Sequence, residues 1–114
     1  MPGLQTLSPE ALDHLLAFKR EVEDALPGQV AGVALFGSRA RGDAEEDSDY
    51  DVAVFLRDLS DRPELLGLLS DIAYPHMLDG IYISAIGLPH DYLHGPGGRT
   101  ALAEDIAREG IVLP

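Results

Sequence analysis

The sequence has 114 residues, 46% of them hydrophobic, which predicts one globular domain over residues 1–114. It contains no cysteine, which excludes disulfides, thiolate zinc sites and cysteine nucleophiles. Eight basic residues face twenty acidic ones, giving a formal net charge of −12, so we expect no binding to duplex DNA or RNA through backbone phosphates.

The beginning of the chain has no basic region followed by an apolar run, and no apolar stretch approaches the roughly 18 residues that span a membrane. We therefore expect no contact with membranes and a cytoplasmic location. The acidic surface fits bound divalent cations or a basic protein partner, and for most of its residues it fits a plain solvated surface.

The first half of the chain predicts a helix, a strand and a short helix. The long helix starts at Ser8, a capping residue, and stops at Pro27-Gly28. The apolar run over residues 30–36 predicts a buried strand, and residues 38–42 predict the first turns of a short helix.

The second half continues this alternation after an acidic stretch over residues 43–51. The predicted elements are a strand over 50–56, a helix from 61–64 to near 74–75, a strand over 81–86 and, after a loop over 88–98, a helix over 100–109. This order predicts an α/β (α+β) domain, with a small mixed β-sheet flanked by helices. The leucine stripes of the two long helices are expected to face the core.

The most informative segment begins where the first strand ends, at Gly37-Ser38. Gly37 lacks a Cβ, so a phosphate can approach its backbone closely. The amides that open a helix attract anions, and the Ser38 hydroxyl adds another donor. Arg39 and Arg41 follow, and each has two interpretations: it reaches a triphosphate, or it ties down the acidic loop.

Two acidic residues, Asp49 and Asp51, stand at the start of the second strand. Alternation along a strand puts both side chains on one face, roughly 6 to 7 Å apart. Carboxylates at this spacing suit Mg²⁺, which prefers carboxylate ligands together with phosphate oxygens. Without a cation, the two charges would repel each other.

This segment resembles the signature of a known superfamily. Gly37-Ser38, ten residues and then Asp49-Tyr50-Asp51 are similar to the motif of the minimal (MNT) branch of the DNA polymerase β-like nucleotidyltransferases. Ser48 and the Arg-Ala-Arg-Gly stretch after Ser38 also look like this branch. The motif covers about a fifth of the chain, and the order of elements resembles the polymerase β palm-like fold of the family over the remainder.

The resemblance implies a site and a reaction. Gly37 and Ser38, with Arg39 and Ser48, would bind the triphosphate of a nucleoside triphosphate, expected to be ATP. Asp49 and Asp51 would be the catalytic, metal-binding residues, holding Mg²⁺ or Mn²⁺. The reaction would transfer AMP to a hydroxyl. Stand-alone proteins that look like this often act as antitoxins, adenylylating a tyrosine of a helical HEPN-type ribonuclease toxin.

The third strand departs from the family pattern. It contains no Asp or Glu, and Ser84 stands roughly where a third metal-binding carboxylate is expected; Asp79, before the strand, is a candidate replacement. This keeps open a second interpretation, a catalytically impaired domain that acts by binding a partner protein. A third, an aminoglycoside-type enzyme, would require an additional acceptor-binding domain.

Other motifs favour structural interpretations. His90 and His94 have the spacing of some zinc ligands, but they lie in a predicted loop without a third ligand and are interpreted as surface residues. The glycine-rich residues 95–98 follow no strand and predict a flexible loop. His14 and His76 are given no functional role.

Overall fold

The computed structural model describes residues 7–45, 47–58, 62–92 and 101–114 of the chain. Helices and strands alternate along these ranges, which confirms the predicted α+β class. The elements are α1 (Pro9–Ala25), β1 (Val30–Phe36), α2 (Ser38–Arg41), β2 (Tyr50–Leu56), α3 (Arg62–Leu78), β3 (Ile83–Pro89), α4 (Ala101–Glu109) and β4 (Ile111–Val112).

The sheet is mixed, with strand order β3-β2-β1-β4. β1 is antiparallel to both of its neighbours, whereas β2 and β3 are parallel and joined through α3. The sequence did not predict β4. This strand has two residues, which pair with Ala34 and Leu35, and so short a strand leaves no periodic pattern to detect.

The hydrophobic core lies between one face of the sheet and the two long helices. Alternate residues of β1 and β2 point to the side of the sheet that α1 and α3 cover. Each large side chain buried there contributes roughly 1.5 to 3 kcal/mol. Fully buried members of this core include Leu15, Phe18, Val22, Val33, Leu35, Val52 and Val54.

Helix α1 begins as its sequence predicts. The Ala11 amide donates to Ser8 Oγ over 3.1 Å, and Pro9 occupies the first turn, where its missing N–H leaves no partner unsatisfied. Ala11, Leu15, Phe18 and Val22 are its buried residues.

Helix α3 runs further than predicted, through Pro75 to Leu78. The reason is the burial of His76, the residue after Pro75. His76 is only 6% exposed, and its Nε2 lies 2.6 Å from Glu21 Oε1 while its Nδ1 lies 2.8 Å from His14 Nδ1. These two contacts with α1 hold the last turn of α3 in place, so tertiary packing overrides the helix-breaking tendency of proline.

Strand β3 is shifted toward the C-terminus relative to the prediction over residues 81–86. All seven of its residues pair with the seven of β2, so that Leu88 and Pro89, predicted as loop, belong to the strand. Pro89 is tolerated there because β3 is an edge strand. Thr100, His94 and residues 95–98 lie outside the described residues.

None of the helices within the described ranges is long and apolar enough to cross a bilayer. The cytoplasmic location expected from the sequence stays a prediction.

Candidate functional site

Three neighbouring strands bring one end each to the same edge of the sheet. Phe36 at the end of β1 lies opposite Asp51 at the start of β2, and Asp51 lies opposite Ser84 at the start of β3. The three residues form a row roughly 10 Å long, since neighbouring strands are about 4.8 Å apart. The Gly-Ser bend follows at one end of this row, so the bend and the acidic pair meet at one edge.

Gly37 lies directly against the carboxylate of Asp51. Its φ of 75° and ψ of −158° belong to a region that is essentially restricted to glycine. A Cβ at this position would overlap Oδ2 of Asp51, and it would lie 3.3 Å from the Asp51 Cγ. Glycine is therefore required both by the backbone conformation and by the approach of the carboxylate.

The two acidic residues differ in their surroundings. Asp49 is exposed, whereas Asp51 is partly buried. Burial raises the pKa of the Asp51 carboxyl above its ordinary value, and the negative charge of Asp49 raises this pKa further, while Arg41 opposes the shift. A cation between the two carboxylates would lower the free energy of the ionised pair.

Arg39 and Ser48 stabilise the loop that leads into β2, and Ser48 is part of this loop. The Arg39 guanidinium donates from Nε and Nη2 to the Ser48 carbonyl oxygen, over 3.1 and 2.9 Å, and lies 4.4 Å from the centre of the Tyr50 ring. The Ser48 hydroxyl accepts from the Glu45 amide over 3.0 Å. Both residues thus shape the loop that presents Asp49, and their contact with a nucleotide stays a prediction.

Arg41 also holds this loop. Its Nε lies 3.1 Å from Asp43 Oδ2, and its Nη1 lies 3.0 Å from Glu109 Oε2 of α4. The hydrogen bond to Asp43, followed by that to Glu109, raises the pKa of the guanidinium. Of the two interpretations that the sequence left open for the arginines, the structure therefore displays loop binding for both.

Where the resemblance predicts a third carboxylate, the chain has the hydroxyl of Ser84. Ser84 lies opposite Asp51, and Asp79 lies beside α1, with its Oδ2 3.9 Å from His14 Nε2. Within the described parts of the chain, no group of three or more His, Cys, Asp or Glu side chains could hold a metal ion. Asp49 and Asp51 are carboxylates, the ligand type that Mg²⁺ prefers, and a cation held by them would need further ligands from water or phosphate oxygens.

A cleft of about 340 Å³ lies between α3 and β3 and reaches Asp49. Asp49 and Ser84 contribute to its wall together with two exposed aromatic rings: Tyr74 is 56% exposed and Tyr82 is 50% exposed. Sequence reasoning missed these rings, because a tyrosine at the end of a helix or before a strand carries no signal of its own.

The leucine-rich helix α3 is not entirely a core element. Leu69 is buried as expected, but Leu66 is 55% exposed and Leu78 is 68% exposed. The expectation that the leucine stripe faces the core therefore holds for only part of this helix. His90, one of the two spaced histidines, is exposed, in agreement with its interpretation as a surface residue.

Comparison with known proteins gives consistent results. The family profile described as "Nucleotidyltransferase domain" matches residues 15–95. A curated protein of Methanocaldococcus jannaschii, named a putative protein adenylyltransferase, is 36% identical over 50 residues, which are 44% of this chain and 50% of that protein. The chain thus spans about half the length of the curated relative that it matches.

A crystal structure of a putative nucleotidyltransferase from Sulfolobus solfataricus matches the fold with a TM-score of 0.55 and 18% sequence identity. The match covers 93% of this chain and 87% of the other. At this identity the match supports the fold and carries no information about substrates.

Proposed function

Because the chain belongs to the nucleotidyltransferase domain family, we propose that it transfers AMP from ATP to a hydroxyl acceptor, in one domain formed by residues 1–114. The observation that carries this proposal is the close approach of Gly37 to Asp51. It joins a bend suited to phosphate with a carboxylate suited to a divalent cation, at one edge of the sheet.

The residues of the bend have separate roles. Gly37 leaves its backbone open to the β- and γ-phosphates, and Ser38, the first residue of α2, offers its amide and hydroxyl at the positive end of the helix. Arg39 and Ser48 act mainly by shaping the loop before β2, because the Arg39 guanidinium already donates to the Ser48 carbonyl.

Asp49 and Asp51 would hold Mg²⁺ or Mn²⁺. When bound, such a cation supplies positive charge to the reacting phosphate. Strand β2 orients Asp51 toward Gly37, and the loop held by Arg39 and Arg41 presents Asp49 beside it. The chain thus presents two carboxylates next to the bend that is proposed to bind phosphate.

The proposed acceptor is a tyrosine of a HEPN-type toxin, which would make the chain the antitoxin of a toxin–antitoxin pair. Support comes from the resemblance of the motif to minimal nucleotidyltransferases and from the similarity to the Methanocaldococcus relative, which is named a putative protein adenylyltransferase.

The proposal is tested with ATP labelled at the α-phosphate, Mg²⁺ and a purified HEPN-type ribonuclease. We expect label on the ribonuclease and release of pyrophosphate, with no label from γ-labelled ATP. Asp49→Asn and Asp51→Asn should each lower the rate by at least about 100-fold. Asp47→Asn is the matched control, because Asp47 is an exposed acid of the same loop.

A second candidate function is a partner-binding domain with impaired catalysis. It is favoured by Ser84 at the register position opposite Asp51, where a third carboxylate is expected. Tight association with the ribonuclease, without labelling or pyrophosphate release, would support this alternative and contradict the first.

A further inference from the structure

We propose that His14 and His76, with Glu21 and Asp79, form a pH-sensitive clamp between α1 and α3. The clamp holds one proton between the two imidazole rings, opens when acid protonates both rings, and thereby loosens the backbone that leads to the acidic pair. Its four side chains are separate from the residues proposed to bind phosphate and metal, so this inference does not depend on nucleotidyl transfer.

The four side chains of the clamp form one line of polar contacts across the two helices. Nε2 of His76 lies 2.6 Å from Glu21 Oε1, and the Nδ1 atoms of the two histidines are 2.8 Å apart. At the other end, His14 Nε2 lies 3.9 Å from Asp79 Oδ2. The line therefore runs from a half-exposed carboxylate, through the buried His76 ring, to an exposed carboxylate.

These contacts limit the number of protons that the two rings can hold. The hydrogen bond between the Nδ1 atoms requires one nitrogen to donate and the other to accept, so it contains one proton. A second proton lets His76 Nε2 donate to Glu21, and a third lets His14 Nε2 face Asp79 as an imidazolium. A fourth proton would set two N–H groups against each other and break the contact between the rings.

The charges around the rings favour the first three protons. In the part of the chain that the structure describes, the charged side chains in contact with the rings are both acidic: Glu21 from α1 and Asp79 from the turn after α3. The basic side chains in the middle of α1 have other neighbours. Lys19 pairs with Glu23, and Arg20 lines a separate groove.

Acidification is expected to open the clamp. Histidine has an ordinary pKa of about 6.5, so both rings are mostly protonated in the unfolded chain below about pH 6. In the folded chain, His76 is buried and packs edge-on against the Phe18 ring, where water does not easily replace a broken hydrogen bond. The unfolded chain then holds more protons than the folded chain, so the clamp's contribution to stability falls as the pH falls.

Backbone hydrogen bonds connect the clamp to the acidic pair. The carbonyl oxygen of His76 accepts from the Ile81 amide over 3.0 Å, which fixes the turn from α3 toward β3. The carbonyl oxygen of the next residue, Tyr82, accepts from the Tyr50 amide over 2.8 Å, and Tyr50 stands between the two acids. Loss of the contact between the histidine rings is therefore expected to loosen both amides.

The first test compares the pH dependence of the Tm in the wild type and in His14→Asn. The asparagine amide can donate to His76 as the His14 ring does, but it takes up no proton. From about pH 7.5 to 5.5, the Tm of His14→Asn should rise relative to that of the wild type by about 3 °C or more. His90→Asn is the matched control, because His90 is an exposed histidine outside the clamp, and its Tm should follow that of the wild type.

Hydrogen exchange locates the opening and needs neither ATP nor transfer. Over the same pH range, the protection factors of Ile81 and Tyr50 should fall by about fivefold or more in the wild type, and should stay within about twofold in His14→Asn. An unchanged Ile81 amide in the wild type, or the same pH dependence of the Tm in both proteins, would overturn the clamp. An unchanged Tyr50 amide would overturn its connection to the acidic pair.

Discussion

At the scale of single residues, Gly37 combines two constraints that a sequence motif cannot separate. Its backbone has a positive φ, and its missing Cβ makes room for the Asp51 carboxylate. Gly28 has the same φ of 75°, but a Cβ there would meet nothing within 4 Å. Substituting each glycine by alanine therefore separates two effects: the strain of a positive φ, which both variants share, and the displacement of the Asp51 carboxylate, which only the Gly37 variant has.

We expect Gly37→Ala to lose ATP affinity by about tenfold or more, because the new Cβ displaces the Asp51 carboxylate. Gly28→Ala should destabilise the fold by about 1 to 2 kcal/mol through its positive φ alone, with ATP affinity nearly unchanged. Calorimetric titration and urea unfolding measure the two effects. Equal loss of ATP affinity in both variants would contradict the role assigned to Gly37.

Asp51 is expected to make stability depend on pH. Its folded pKa lies above the ordinary 3.8, so the stability that it contributes is complete below pH 3.8 and is lost as the pH rises through the folded pKa. Asp51→Asn should therefore be more stable than the wild type near pH 7, by less than about 1 kcal/mol because water screens a partly exposed group, and should lose this advantage at low pH.

Thermal unfolding across this pH range measures the difference, with the exposed Asp47→Asn as control. Added Mg²⁺ should raise the Tm of the wild type and not that of Asp51→Asn, because ligand binding to the folded state stabilises it. An advantage of Asp51→Asn over the wild type that is larger at low pH than near pH 7 would contradict the sign.

At the scale of secondary-structure elements, α3 shows how packing can override a local preference. Pro75 lies inside the helix, where it removes one backbone hydrogen bond, but the next residue, His76, is buried and contacts Glu21 and His14 of α1. Since α3 also lines the cleft, its last turn positions Tyr74 and Met77 as well.

Pro75→Ala should stabilise the fold by about 1 kcal/mol or more, because alanine restores the backbone hydrogen bond and helix propensity at an exposed position. Pro9→Ala is the matched control: Pro9 occupies the first turn of α1, where proline is favourable, so this change should be neutral or slightly destabilising. Chemical unfolding of both variants measures the change in the free energy of unfolding. A destabilised Pro75→Ala would indicate that the proline shapes the last turn of α3.

Prediction from sequence succeeded for elements whose pattern is local. The start of α1 and the bounds of β1 and β2 follow from capping, apolar runs and alternation. The predicted end of α3 was wrong, because His76 in its last turn contacts residues more than 50 positions away. The predicted start of β3 was wrong, because β3 takes its register from β2.

At the scale of the whole molecule, the net charge of −12 acts on the folded state as mutual repulsion. Sodium chloride screens this repulsion, so raising its concentration from about 0.02 to 0.5 M near pH 7 should increase the Tm by a few degrees. Near the sequence pI of about 4.4 the increase should disappear, which provides an internal control. A Tm that falls with salt near pH 7 would show that attractive ion pairs dominate.

The sequence by itself determined the family and the composition of the candidate site. Spacing and strand alternation are local properties, and they are enough to put Asp49 and Asp51 at the start of one strand and Gly37-Ser38 at the end of another. Only the tertiary structure decided that Gly37 contacts Asp51, that Ser84 lies opposite Asp51, and that α3 and β3 enclose a tyrosine-lined cleft. These features depend on strand register and on helix packing between distant parts of the chain, which no local pattern specifies.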